Sequence, residues 1–109
     1  MNNININEVT YKLKLVMKKY QEEYPDVKMD RDYLPFKVTE EWGECLQTYL
    51  MLTDRGRQKG KSKEEIKEIL SHEFADVLAY LLLFAEREGV DPFDSINKKW
   101  FSYIEPHKN

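Results

Sequence analysis

The stretch that most constrains the fold is Glu73-Phe-Ala-Asp-Val-Leu-Ala-Tyr-Leu-Leu-Leu-Phe-Ala85, an apolar helix with two acids in its first half. Residues three apart lie on the same helix face, so Glu73 and Asp76 project together. Asp76 sits among Phe74, Ala75, Val77 and Leu78. A carboxylate taken among such neighbours costs several kcal/mol unless a partner cancels its charge. About thirty residues upstream lies a second acidic group, Glu40-Glu41-Trp-Gly-Glu44. The pattern predicts that the two groups face each other across packed helices and hold a hard divalent cation between them.

The chain around these motifs reads as helical throughout. Val9, Leu13, Val16, Met17, Tyr20 and Tyr24 recur at helix spacing, with Asn7 as the expected N-cap and Pro25 as the stop. A second helix is expected from Pro35, with Phe36, Val38, Trp42, Cys45, Leu46, Tyr49, Leu50 and Leu52 forming a broad apolar face. Lys37, Glu41, Glu44 and Thr48 form one stripe beside it. Gly43 interrupts this helix; it is either simply tolerated or admits the close approach of a neighbour, the reading favoured here. A basic, glycine-punctuated loop follows, carrying Arg55, Arg57, Lys59 and Lys61. It reads first as solvated; the alternative is closure over a triphosphate across a subunit boundary.

Ser62 and Glu65 form a capping box opening the third helix, which Gly89 closes. From Leu78 to Ala85 that helix is apolar all round, so it needs cover on more than one side, with a second subunit as the expected cover. Asp91-Pro92 opens a fourth helix bearing Phe93, Ile96, Trp100, Tyr103 and Ile104 on one face. The expected fold is one all-α domain over residues 1–109, a four-helix bundle completed by oligomerisation. No repeat is present, and no strand-like alternation outlasts the first seven residues.

Bulk properties exclude several classes. A net charge of −3 argues against a sequence-independent nucleic-acid binder. The longest apolar run is too short to span a bilayer, and the N-terminus has no basic region followed by an apolar stretch. The one cysteine, Cys45, fits a reducing compartment and no intrachain disulfide. A cytoplasmic protein without membrane partners is expected.

Glu-x-x-Glu on one helix and Glu-x-x-Asp on another can supply up to four carboxylates across a gap of about 8–10 Å. Oxygen donors of this kind suit Mg²⁺ rather than Zn²⁺. With 20 acids in 109 residues, however, acid pairs at this spacing are common, and spacing alone leaves a solvated acidic face standing. A di-iron site would need Glu-x-x-His, and neither His72 nor His107 follows a glutamate by three.

Glu40-Glu41-Trp-Gly-Glu44, the Glu73-Phe-Ala-Asp76-Val-Leu-Ala-Tyr-Leu segment, Gly-Val-Asp-Pro and Lys99, in this order, resemble the MazG-like all-α nucleoside triphosphate pyrophosphohydrolases. The likeness covers Leu34 to Tyr103. It implies a MazG-like bundle that binds Mg²⁺, with Mn²⁺ as a substitute, through Glu41, Glu44, Glu73 and Asp76. It implies hydrolysis of an NTP or dNTP to the monophosphate and pyrophosphate by a homodimer or homotetramer. Glu40 matches an extra family acid that orients or deprotonates the water, beside Glu41; its other reading is an acid favoured by the helix dipole. Lys99 matches a phosphate-contacting lysine, its other reading being a snorkelling surface lysine, and Trp42, Tyr80, Phe36 and Trp100 are candidates to stack on the base, although each also fits plain packing. Tyr103 stands where many members carry asparagine, and no arginine follows. The rival readings are a non-catalytic oligomeric interaction module of the same fold, and a phosphohydrolase of another phosphorylated metabolite.

Overall fold

A computed structural model of the chain describes residues 5–105. The one-domain reading over 1–109 therefore extends four residues beyond this span at each end, and His107 lies outside it. Four α-helices follow one another: α1 (Ile6–Glu23), α2 (Tyr33–Leu52), α3 (Lys63–Arg87) and α4 (Pro92–Lys99), with a short 3-10 turn at Phe101–Tyr103. Among the described residues there is no strand. No described helix is long and apolar enough to cross a membrane.

Local chemistry explains most of the boundaries. Asn5, not Asn7, caps α1: its side chain accepts from the Asn7 N–H at 2.8 Å and the Glu8 N–H at 3.4 Å. Asn7 is already inside the first turn, where it is a donor in need of a cap. The α2 helix starts two residues before Pro35. Proline is tolerated there because the first-turn N–H groups have no intrahelical partner. The α3 helix opens on the expected capping box of Ser62 and Glu65. It closes at Gly89, whose φ of +71° lets the Gly89 N–H reach Glu86 O and the Val90 N–H reach Ala85 O at 2.8 Å. Asp91 caps α4 through the Phe93 and Asp94 N–H groups, both at 3.1 Å.

The body of the molecule is the antiparallel α2–α3 hairpin, with α1 laid along α3. Its buried apolar side chains are Ile66, which is completely enclosed, with Cys45, Leu82 and Leu83. Beyond its entry at Pro92, α4 packs on the turn that follows it and makes no substantial contact with α2 or α3. Four helices are present, but α4 does not close a four-sided core within this chain.

The α2 face turned to α3 is the expected acidic stripe with the margin of the apolar face, not the centre of that apolar face. Glu41, Cys45 and Thr48 are buried, whereas Trp42, Leu46, Tyr49 and Leu50 remain 41–46% exposed. On α3, Phe74, Leu78 and Leu81 are likewise exposed. The helices meet along the margin of α2's apolar face, so its aromatic centre stays uncovered in the single chain. The radius of gyration is 17.5 Å, against about 13 Å for a compact domain of this size. The accessible surface is 9144 Å² for 13.1 kDa, whereas a compact monomer scales to roughly 6,400 Å².

Gly43 is exposed, and a β-carbon placed on it would meet no neighbour within 4 Å. No close packing within the chain requires glycine here, contrary to the sequence expectation. Gly43→Ala is therefore expected to stabilise the protein by about 1 kcal/mol through helix propensity, read as a higher urea midpoint with an unchanged m-value. A lower midpoint would mean that something outside this chain approaches Gly43.

Candidate metal centre

The two acidic groups meet at the middle of the α2–α3 seam. One carboxylate oxygen each from Glu41, Glu73 and Asp76 lies within 4.8 Å of the others. Helix geometry accounts for the convergence. Glu41 belongs to the stripe that α2 turns to α3, while Glu73 and Asp76 stand one turn apart on the facing helix. The three differ in burial: Glu41 is only 8% exposed, Glu73 is intermediate and Asp76 is open to solvent. The triad thus runs from the seam outward to water.

Two of these carboxylates are incompletely satisfied. Glu41 Oε2 and Glu73 Oε2 are both buried and have no hydrogen-bond partner among the described residues. A buried polar atom without a partner loses its hydration with nothing in return. Burial raises the pKa of Glu41, reinforced by Glu44 and Asp76 and opposed by Lys37. Burial also raises that of Glu73, reinforced by Glu44 and Asp76, with His72 opposing. Glu44 is exposed and stands outside the triad, yet close enough to act on both buried acids. Three of the four expected ligands are gathered, and the fourth is at the rim.

The local counter-charge is Lys37. Its ammonium bonds Glu40 and lies 3.5 Å from Glu41 Oε1, and it sits 5.4 Å from the centroid of the Tyr80 ring. Burial works against the Lys37 charge, but Glu40, Tyr80 and Glu41 together hold its pKa above the ordinary lysine value. Tyr80 is half-buried, and its ring meets Tyr33 edge-on at 6.4 Å. Burial, then Tyr33, pushes its hydroxyl up to about 12. One ammonium shared between Glu40 and Glu41 leaves Glu73 and Asp76 without a cationic partner among the described residues. The Lys37–Glu41 spacing of i,i+4 was the sequence signal for this contact; the involvement of Tyr33 had no such signal.

The donor set is entirely carboxylate oxygen. It therefore fits a hard cation that takes oxygen ligands, and the orphaned oxygens of Glu41 and Glu73 are where such an ion would satisfy the seam. Cys45 is buried nearby, and burial together with Glu73 raises its thiol pKa, which disfavours the thiolate a soft metal would need.

The remaining candidates are dispersed. Glu40 is exposed and held by Lys37. Trp42 is about 100° around α2 from Glu41 and belongs to the exposed aromatic side. Lys99 is exposed on α4, which does not pack against the seam. A cavity of about 500 Å³ opens beside Glu44 and Glu73 toward the α2–α3 loop, where Arg57, Lys59 and Lys61 line it. The sequence read this loop first as solvated and otherwise as closing over a triphosphate from across a subunit boundary; its place beside the acids of its own chain depends on where the hairpin turns. The chain matches no family model, no curated protein and no solved structure.

The raised pKa values carry a signed consequence. Between the ordinary carboxylate pKa of 4.5 and the raised folded value, folded Glu73 keeps a proton that the unfolded chain has released. The metal-free protein therefore loses stability as pH climbs through that window. In EDTA at neutral pH, Glu73→Gln is therefore expected to melt above wild type. The advantage should vanish at or below pH 4.5. Millimolar Mg²⁺ should raise the wild-type melting temperature and leave the variant unmoved. A variant less stable than wild type at neutral pH in EDTA would contradict the uncompensated charge.

Proposed function

We propose that the protein is a Mg²⁺-dependent nucleoside triphosphate pyrophosphohydrolase, with Mn²⁺ able to substitute, acting as a homodimer or homotetramer in nucleotide pool cleaning. The observation that carries this reading is the Glu41–Glu73–Asp76 triad, with one orphaned, buried oxygen on each of the two glutamates. Glu41, Glu73 and Asp76 hold the ion, and Glu44 joins from the rim. An ion bound there supplies charge neutralisation for phosphate oxygens and acidification of a coordinated water.

The chain's own residues account for the rest of the proposed reaction. Water attacks the α-phosphorus, forming a new P–O bond as the bond from that phosphorus to the α,β-bridging oxygen breaks. Pyrophosphate leaves with the bonding electron pair, and the proton released by water passes to a carboxylate. Glu40, exposed beside Glu41 and oriented by Lys37, is suited to accept it. Lys37 also fixes the Glu41 carboxylate, so the acids keep their spacing as the substrate arrives. Tyr80, beside Lys37 at one end of the triad, is suited to contact the nucleoside. Within one chain Trp42 and Lys99 stand apart from the triad, so their proposed contacts with base and phosphate require a neighbouring protomer. The uncovered apolar side chains of α2 and α3, and the surface in excess of a compact monomer, support such an assembly.

Those same exposed aromatics favour one rival, a non-catalytic oligomeric interaction module. Pyrophosphate release from a panel of NTPs and dNTPs, with products identified, separates the readings. Mg²⁺-dependent turnover giving monophosphate plus pyrophosphate is expected for at least one of them. Folded protein with no turnover would favour the interaction module, and release of orthophosphate would point to a different phosphorylated substrate. Asp76→Asn is expected to abolish turnover with unchanged far-UV circular dichroism; near-native activity in that variant would remove Asp76 from the site. Sedimentation at micromolar concentration is expected to give a dimer or tetramer, and Leu78→Glu with Leu81→Glu to give monomers. A monomeric wild type would refute the assembly.

A further inference from the structure

The lining of the cavity beside Glu44 and Glu73 carries both signs of charge. Arg57, Lys59 and Lys61 line it together with the two glutamates and with Thr48, Met51 and Ile69. At about 500 Å³ it lies within the range of small-molecule sites. Neighbouring cations of the loop are already engaged. Lys63 binds Asp54 and donates to Leu52 O at 2.9 Å. Arg55 bonds Thr53 Oγ1 at 3.0 Å and covers the Tyr49 ring. Among the described residues, by contrast, Arg57, Lys59 and Lys61 form no ion pair.

We infer that this cavity receives the two terminal phosphates of a metal-chelated polyphosphate, so that the substrate lies with its phosphate tail toward the α2–α3 loop and its nucleoside toward Lys37 and Tyr80. The inference rests on the metal-centre reading above. Its physical basis is the mixed charge. A bare anion would be repelled by Glu44 and Glu73, and a bare cation by the three basic residues. A polyphosphate that gives some oxygens to an ion on the carboxylates and the others to Arg57, Lys59 and Lys61 satisfies both sets of charge. In the proposed reaction this places the leaving pyrophosphate against the loop.

The loop is shaped to keep those cations in place. Gln58 Nε2 donates to Met51 O and Gly56 O at 2.6 and 3.1 Å, and the Lys61 N–H donates to Gln58 O at 3.1 Å. Lys59 and Gly60 both adopt positive φ, +56° and +73°. A lysine in this conformation is unusual enough to invite a functional reason.

The test is calorimetric titration of Mn²⁺ alone, and of pyrophosphate, of tripolyphosphate and of a nucleoside monophosphate, each with Mg²⁺, into wild type and into Arg57→Ala/Lys59→Asn/Lys61→Ala. Asparagine is chosen at 59 because it tolerates the left-handed backbone. The triple variant is expected to bind pyrophosphate and tripolyphosphate about 10- to 100-fold more weakly, with monophosphate and Mn²⁺ affinities unchanged. Arg57→Glu alone, at an exposed loop position, should lose pyrophosphate binding similarly and guards against misfolding of the triple variant. Unchanged pyrophosphate affinity in both variants, with Mn²⁺ still bound, would overturn the orientation and leave the metal centre intact. Absence of Mn²⁺ binding by the wild type would remove both. Equal weakening of monophosphate and pyrophosphate would also overturn it, since the loop would then act only as diffuse charge.

Discussion

The α2–α3 seam contains carboxylates where a helical hairpin would ordinarily place aliphatic side chains, and their desolvation governs the rest of the molecule. Ile66 and Cys45 supply apolar contact, yet Glu41 lies in the same interface with an oxygen that has no hydrogen-bond partner among the described residues. An isolated buried carboxylate is costly, and Glu44, Glu73 and Asp76 crowd it further. Lys37 relieves one oxygen only, and divides its charge with Glu40. The seam is thus stable enough to form but incomplete electrostatically, a condition that a hard cation would remedy. Burying charge in this way costs stability.

Placing acids along one edge of the hairpin has a geometric corollary. On α2, the Lys37–Glu41–Glu44–Thr48 stripe and the Trp42–Leu46–Tyr49 group occupy different sides of the helix. On α3, Glu73 and Asp76 are set apart in the same way from Phe74, Leu78 and Leu81. The hairpin consequently has an acidic edge and an apolar edge, and only the seam between them is filled. In the proposed enzyme the apolar edge is where a second copy packs, and α4, which extends from the body, is the element free to reach another protomer. The same two edges explain why a binding module is the natural rival: the apolar edge has a use whether or not the acidic one is catalytic.

Along the acidic edge the charge is graded. Lys37, Tyr33 and Tyr80 stand at one end, the triad at the middle, and Arg57, Lys59 and Lys61 at the other. A substrate that is aromatic at one terminus and polyanionic at the other matches that gradient. In a chain of net charge −3, such a local basic patch is what would let a phosphate tail approach at all.

Much of this was written in the sequence because it depends on near neighbours. The cap at Ser62, the Gly89 stop, the Asp91-Pro92 start and the i,i+3 acid pairs are all set within a turn or two of helix. Asn5 displaced Asn7 as a cap by the same local logic, one helical start earlier. The side of α2 that packs was not legible, because its apolar face is too broad to specify a single contact line. The paired acids pointed Glu41 toward α3, but only the tertiary structure decided that Cys45 and Thr48 join it there while Trp42 stays outside. It likewise brought Arg57, Lys59 and Lys61 to the edge of the acids and kept Lys99 away, since these distances follow from how helices pack and where the chain reverses. Sequence determined which charges exist and on which helical stripe; packing determined which of them lose their water.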